Sequence, residues 1–299
     1  MKTVLISGAT GLVGGILAQR LTEKGYEVRV LSRKKSANHF LWDLKEKKIE
    51  ESAFENLDAI IHLAGAPVSK RWSESYKKAI YKSRVDSAEL LFEYVKKLNI
   101  DLKTFITASG INYYGTLTSD QIFTEADPPS TDFFGKVCVD WENAAFDFES
   151  LGTRVCSVRT SVVLSTQGGM LKELLPITKL NLLSPLGTGK QILPWIHVDD
   201  LVNMYIYLLE NKELSGAFNA AAPQVVNQKE FTKTWAESLH KKVILPHVPS
   251  FGLKLFFGEM ASILVKGSAI SSNKIQKSGF TFQFNDLKKA LKDLIERNQ

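Results

Sequence analysis

Residues 1–14, MKTVLISGATGLVG, decide how the chain is organised. Val4-Leu5-Ile6 is a short apolar run at the first residues. It leads directly into Gly8-Ala9-Thr10-Gly11-Leu12-Val13-Gly14, a G-x-x-G-x-x-G turn. Val13, Ile16, Leu17 and Leu21 follow at the spacing of one buried helix face. Lys24-Gly25 ends that helix, with a basic last turn and a glycine just past it. Val28-Arg29-Val30-Leu31 then reads as a second strand. Strand, glycine turn, helix and strand together form a dinucleotide-binding unit. Glycine lets the backbone approach a pyrophosphate, whose negative charge then meets the helix N-terminus. A glycine motif alone is a weak signal, but between a strand and a helix it is a strong one.

The rest of the composition sets the class. The chain has 299 residues, 44% hydrophobic and 23% charged, which is ordinary for a globular protein with a sizeable core. That length suits one large α/β domain or one and a half. The first strand starts so early that no signal peptide is expected. No run of eighteen apolar residues suggests a spanning helix. The two cysteines, Cys138 and Cys156, cannot build a disulfide framework. All three observations fit a cytoplasmic protein. The net charge of +6 reads as a lysine-rich solvated surface and would suit an anionic cofactor. No basic patch carries a nucleic-acid recognition motif.

Strand and helix signals continue to alternate. Phe40-Leu41-Trp42 suggests a short strand, and Asp58 to Gly65 a buried parallel strand ending in small residues. A long helix is expected from about Ser73 to Leu98, with Tyr76, Ile80, Ala88, Leu91, Val95 and Leu98 on its buried face. Thr104–Ala108 and Arg154–Val158 are further strands, flanking a helix over about 134–149. The order predicts an α/β fold, a doubly wound parallel sheet with helices on both faces. Beyond about Thr160 the rhythm loosens. Residues 165–197 are expected to contribute to a substrate cleft. His197-Val198-Asp199-Asp200 leads into another helix, and Ala217–Ala220 returns a strand. This divides the chain into a dinucleotide-binding domain over 1–223 and a small, mostly helical C-terminal lobe over 224–299. The last helix spans about 285–295. Leu253 to Val265 is amphipathic, and Lys254, Glu259 and Lys266 favour a helix packed on the core over a membrane-bound one.

GATGLVG, DAIIHLAG at 58–65, Tyr114-Gly115 and WIHVDDL at 195–201 together resemble an extended short-chain dehydrogenase/reductase of the NAD-dependent epimerase/dehydratase type. The resemblance spans about 1–223 and implies a Rossmann fold. SRK after the second strand, SRVDSAELL, YYG, VCVDWE and PWIHVDDL resemble one atypical branch, usually labelled "epimerase family protein". That branch carries a C-terminal domain of unknown function, to which 248–295 is similar.

The resemblance implies a nicotinamide dinucleotide, and the residues suggest which one. NAD-binding members place an acid at the end of the second strand to hold the ribose hydroxyls. Here Ser32-Arg33-Lys34 stands in that place. A forked guanidinium and a hydroxyl suit a 2′-phosphate, so NADP(H) is expected. Gly8, Thr10, Gly11, Leu12, Val13 and Gly14 would hold the pyrophosphate. Leu63, Ala64 and Gly65 would lie along the adenosine ribose and pyrophosphate, where only small residues allow close approach. Asp43 resembles the acid that meets the adenine amino group, or is a surface aspartate. Arg84 replaces the usual asparagine on the long helix. It reaches the diphosphate or pairs with Asp86 or Glu89 on its own helix.

The family's catalytic pattern, Ser or Thr followed by Tyr-x-x-x-Lys, does not transfer. Aligned on Tyr114-Gly115, the hydroxyl position is Gly110, with Ser109 one place earlier. Aligned on Glu142 as the anchoring acid, the tyrosine falls on Phe134 and the lysine on Cys138. Phenylalanine has no ionisable proton. Ser109, Tyr113, Tyr114, Lys136, Cys138 and Asp140 remain nearby. Tyr114 is the leading substitute acid, with Ser109 orienting the substrate oxygen. Cys138 reads as a small buried side chain, His62 as structural, and His197 as a scaffold for its turn. Leu193-Pro194 replaces the Arg-Asp of sugar-nucleotide enzymes, which weakens a nucleotide-sugar substrate. The resulting expectation is an atypical NADP(H)-dependent oxidoreductase or epimerase-like enzyme on an unidentified small molecule, with no metal. The alternative is a non-catalytic NADP(H)-binding regulatory protein. No nucleic-acid or membrane partner is expected.

Overall fold

The computed structural model describes residues 2–36 and 38–297. In chain order the elements begin with β1 (Thr3–Ser7), α1 (Leu12–Glu23), β2 (Glu27–Ser32), β3 (His39–Asp43), β4 (Lys48–Ile49) and β5 (Ala59–His62). Next come α2 (Glu74–Lys82), α3 (Val85–Lys97), β6 (Thr104–Gly110), β7 (Ile122–Phe123), α4 (Phe133–Phe146), β8 (Arg154–Thr160) and β9 (Val162–Leu164). They are followed by α5 (Gly169–Lys179), β10 (Trp195–His197), α6 (Val198–Glu210), β11 (Gly216–Ala220) and α7 (Gln228–Ser238). The chain closes with α8 (Ser250–Phe257), α9 (Ser262–Val265), β12 (Ala269–Ile270), α10 (Asn273–Lys277) and α11 (Leu287–Glu296).

The main sheet has the strand order β11-β8-β6-β5-β1-β2-β3-β4, and only the short β3–β4 pairing is antiparallel. The chain runs outward from β1 through β2 and β3, then crosses back to β5 on the other side of β1. The direction therefore reverses between β1 and β5, and the crevice beyond their carboxyl ends is where such sheets bind ligands.

All five residues of β1 are buried, because side chains alternate and both faces are covered. Val4 and Ile6 join Leu17 and Leu21 of α1 and much of α6 in one core layer. Leu5 joins Leu91, Phe105 and Phe148 in the other. A third core gathers α5, α7 and α11 around Trp195 and Trp235.

Three expected helices are interrupted. The helix foreseen over 73–98 is two helices. Ser73 caps the first by accepting from the Tyr76 N–H at 3.2 Å. The break falls at Ser83–Arg84, where the Ser83 hydroxyl donates to the Ile80 carbonyl and the Arg84 N–H turns back to Tyr81. The apolar face runs unbroken across this point, so spacing alone gave no sign of it. The helix foreseen to Glu149 stops at Phe146 and tightens into a 3₁₀ turn over Asp147–Leu151. The amphipathic stretch 253–265 is α8, a 3₁₀ turn and α9. It is only half packed: Leu253 and Met260 are buried, but Phe251, Leu255 and Phe256 are exposed. No described helix is long and apolar enough to cross a membrane.

The glycines of the first turn differ in what surrounds them. A Cβ on Gly14 would lie 2.5 Å from the Gly8 carbonyl oxygen, whereas one on Gly15 would lie 3.4 Å from the Ala9 oxygen. Gly14→Ala is expected to lower stability by about 1–3 kcal/mol through overpacking. Gly15→Ala is expected to raise it by roughly 0.5–1 kcal/mol through helix propensity. Urea unfolding of both variants checks the opposite signs.

Candidate functional site

The site begins where β1 ends. Gly8 has φ +77°, and a Cβ there would stand 2.7 Å from the Leu63 carbonyl carbon and 2.8 Å from the Ala64 nitrogen. The carboxyl ends of β1 and β5 are thus in backbone contact. The Ser7 hydroxyl reinforces the contact by accepting the Ala64 N–H at 3.3 Å. Gly11 is exposed and caps α1 without a side chain. The first turn of α1 carries no acid, and its Gly15 N–H reaches Gly11. The N–H groups of Leu12, Val13 and Gly14 precede that bond and have no helical acceptor. Thr10 and Gly11 are the exposed lip of the turn, and Leu12 and Val13 are half-buried behind it.

Around this turn lie cations without partners. At the end of β2, Ser32 is buried and its hydroxyl accepts the Lys34 N–H at 3.1 Å, which shapes the loop. Arg33 and Lys34 are exposed, and among the described residues neither forms an ion pair. Lys35 is instead held by Glu50. Asp43 stands at the carboxyl end of β3, and its Oδ1 accepts the Lys45 N–H at 2.8 Å to close the β3–β4 hairpin.

Arg84 does not pair with Asp86 or Glu89. It is 8% exposed and donates to the carbonyls of Ile80 and Ala66 at 3.1 Å each. Its guanidinium lies 5.1 Å from the Trp141 ring centroid and 3.0 Å from where a Gly65 Cβ would be. Its Nε has no hydrogen-bond partner. Burial pulls its pKa down, and no carboxylate acts on it in the other direction. A buried guanidinium held only by neutral carbonyls and the Ser83 hydroxyl is one charge short of balance.

Below it, His62 is fully buried, 2.8 Å from the Ser87 hydroxyl, and accepts the Trp141 indole N–H at 3.2 Å. Burial, then the nearby Arg84 charge, hold its pKa down to about 3. It is a neutral packing residue.

The residues expected to do chemistry separate. Tyr114 is 3% exposed. Its hydroxyl donates to Asn219 Oδ1 at 2.7 Å and accepts from Arg159 Nη1 at 2.9 Å. Arg159 in turn forks onto Glu142 at 2.9 and 2.8 Å. Burial is the largest influence on Tyr114 and pushes its pKa up to about 12. The structure therefore places this hydroxyl inside a satisfied network that ties β6, α4, β8 and β11 together, not at a cleft. The expectation of a proton donor at Tyr114 meets a physical obstacle, since the proton is already committed and the group is sealed.

Ser109 is 5% exposed, and its Oγ has no hydrogen-bond partner. Cys138 packs beside it. Burial, then the Glu142 charge, raise the Cys138 thiol pKa to about 12. Phe134 stacks on Trp72 with ring centroids 5.3 Å apart. Both usual acid/base positions are thus filled by packed, non-ionising groups. Tyr113 is half-buried in the same aromatic cluster, with the Arg159 guanidinium 3.4 Å from its ring centroid. Lys136 is exposed on α4.

Sequence reasoning missed Arg159 and Asn219. A signal for Arg159 existed: Glu142 sits among apolar residues of its helix, where a buried acid would require a cation, and Arg159 stands toward the end of a strand whose other positions are mostly small or apolar.

His197 does act as a scaffold. It caps α6 by accepting the Asp199 N–H at 3.1 Å, stacks on Phe284 at 3.8 Å, and lies 3.2 Å from Asp293. Burial holds its pKa down to about 4. Arg20 and Arg297 neutralise Asp199, and Arg297 also pairs with Asp293. This cluster fastens the end of α11 to α1 and α6.

Several known proteins resemble this chain over nearly its whole length. An epimerase family protein of Staphylococcus aureus is 34% identical over 309 residues, covering 99% of this chain and all of that protein. A chloroplastic homologue of SDR39U1 from Arabidopsis thaliana is 33% identical, covering 98% of this chain and 87% of its own length. The human epimerase family protein SDR39U1, crystallised with NADPH, superposes with a TM-score of 0.89 at 29% identity. That match covers 98% of this chain and 99% of the human one. Residues 248–294 match a domain of unknown function, DUF1731. Residues 4–221 match the NAD dependent epimerase/dehydratase family, and the chain therefore belongs to that family.

Proposed function

We propose that the protein binds NADP(H) across the carboxyl ends of β1, β2 and β5 and serves as an atypical oxidoreductase or epimerase-like enzyme on a small molecule. The observation that carries this reading is the set of unbalanced positive groups around an acid-free turn. They comprise the free N–H groups of Leu12, Val13 and Gly14, the unpaired Arg33 and Lys34, and the buried Arg84. A dinucleotide with an added phosphate supplies the missing charge at each. In this reading Gly8, Thr10 and Gly11 leave room for the diphosphate, and Arg84 faces it across Gly65. Ser32, Arg33 and Lys34 take the 2′-phosphate. Leu63 and Ala64 line the ribose, and Asp43 meets the adenine through its second oxygen. The relative crystallised with NADPH supports the choice of cofactor. When bound, the nicotinamide would supply hydride exchange.

The chain's own task is then to handle a proton without the usual tyrosine. Tyr114 is engaged elsewhere, so its role is to position β6 and the residues around it. Tyr113 and Ser109 remain, both at the carboxyl end of β6. Tyr113 carries an ionisable proton and Ser109 a buried hydroxyl in need of a partner. One observation favours the second reading, a non-catalytic NADP(H)-binding protein: the packing of Phe134 against Trp72 closes the position from which the family's tyrosine acts.

Calorimetry decides the cofactor. NADPH is expected to bind more tightly than NADH by about 1.5–3 kcal/mol, the worth of charge-assisted contacts, and Arg33→Ala to erase most of the difference. Equal affinities in the parent chain would contradict it.

Single-turnover oxidation of NADPH with a panel of carbonyl substrates separates enzyme from binder. Tyr113→Phe is expected to slow turnover by about 10²–10⁴-fold. Tyr114→Phe is expected instead to lower stability by roughly 1–3 kcal/mol, because Asn219 and Arg159 lose a partner, with little effect on NADPH affinity. A Tyr114→Phe chain that folds as stably as the parent yet loses turnover would restore Tyr114 as the donor. No turnover with any substrate would favour the non-catalytic reading.

A further inference from the structure

The exposed apolar side chains of this protein are concentrated in one place. Among the described residues, nine of the thirteen large exposed hydrophobic ones lie within 177–182 and 244–257. Phe251, Leu255 and Phe256 project from α8 at 77%, 74% and 77% exposure. The chain just before α8 adds Ile244 and Leu245, and the end of α5 and the loop after it add Leu180 and Leu182. These two segments are laid side by side by hydrogen bonds. The Lys242 N–H reaches Asn181 at 3.4 Å, the Ser184 hydroxyl donates to the Pro246 carbonyl, and the Val248 N–H donates to Pro185 at 2.8 Å. The result is a cluster of exposed apolar side chains on adjoining segments, well beyond the single exposed leucines that any surface carries.

The segments that form this face are basic, with the exposed Glu173 and Glu259 just beyond their ends. Residues 174–198 and 239–258 contain no Asp or Glu and five lysines, Lys179, Lys190, Lys241, Lys242 and Lys254. None of the five forms an ion pair among the described residues. Lys254 rises from the same helix as the exposed phenylalanines. A second copy of the chain is a poor occupant, because a two-fold contact would set these lysines against their own equivalents with no acid between them. An anionic lipid surface complements both features. Phenylalanine and leucine enter the boundary between headgroups and acyl chains, while lysines meet the phosphates.

We propose that this face docks the protein on an anionic lipid bilayer, with Phe251, Leu255 and Phe256 inserted and the surrounding lysines on the headgroups. The half-packed state of α8 follows directly: Leu253 faces the protein and its neighbours face lipid.

Co-sedimentation of the full chain with vesicles tests the proposal. Binding is expected to vesicles of mixed phosphatidylcholine and phosphatidylglycerol, not to phosphatidylcholine alone, and to weaken as salt is raised. The double variant Phe251→Ser with Phe256→Ser is expected to bind at least about tenfold more weakly. Lys241→Ser with Lys242→Ser should cost about fivefold per lysine. All four side chains are at least partly solvent-exposed, so circular dichroism and melting should stay near the parent's. Four outcomes overturn the proposal. The parent chain ignores anionic vesicles, or both variants bind as well as the parent. Alternatively, light scattering shows a parent dimer that the phenylalanine variant converts to monomer without any vesicle binding, which would make this face a subunit contact. Retention by an acidic polypeptide in the absence of vesicle binding would likewise overturn it in favour of a protein partner.

Discussion

The backbone contact between Gly8 and Leu63–Ala64 is the constraint on which the rest of the structure depends. It closes the crevice between β1 and β5 so tightly that one added carbon would lie 2.7 Å from its neighbour. Because the ends of two strands meet there, the N-terminus of α1 and the loop after β5 converge on one small volume. Both deliver positive character to it, α1 through free N–H groups and the β5 loop through Arg84 behind Gly65. The break between α2 and α3 belongs to the same constraint. Ending α2 at Lys82 lets Ser83 accept the Ala66 N–H at 2.8 Å and Arg84 donate to the Ala66 carbonyl. The helix is interrupted where it secures the loop.

A second, buried polar network lies at the carboxyl ends of β6 and β8. Glu142, Arg159, Tyr114 and Asn219 are each under 6% exposed and each satisfied by the next. Losing either charged member, Glu142 or Arg159, typically costs about 3–5 kcal/mol, since its partner's charge is left unpaired. Asn219 extends the network to the C-terminal segment by donating to the Ser271 carbonyl at 3.0 Å. The network is thus a joint between the main sheet, α4 and the C-terminal segment.

Much of the fold was legible because it rests on local rules. The glycine turn, the alternation of apolar strands and helices and the helix start near Ser73 each act over a few residues, and each recurs in the structure. The basic end of β2 was legible for the same reason. What escaped depends on partners far apart in sequence. Arg159 and Tyr114 are forty-five positions apart, and Tyr114 and Asn219 one hundred and five. Nothing near Tyr114 announces that its hydroxyl is committed. The helix break at Arg84 was hidden because apolar spacing continues through it. The exposed side of α8 was misread because amphipathicity shows only that a helix has an apolar face, not what covers it.

The central claim is that Arg84 is a buried charge awaiting an anion. The most direct measurement is the NADPH dissociation constant of Arg84→Met and Arg84→Lys beside the parent chain. The methionine variant is expected to bind about 10–150-fold more weakly, the equivalent of about 1.5–3 kcal/mol for a charge-assisted contact. The lysine variant should recover part of that loss, because it keeps the charge without the fork. An unchanged dissociation constant in Arg84→Met would contradict the account and leave Arg84 as a prop for the Ala66 carbonyl alone.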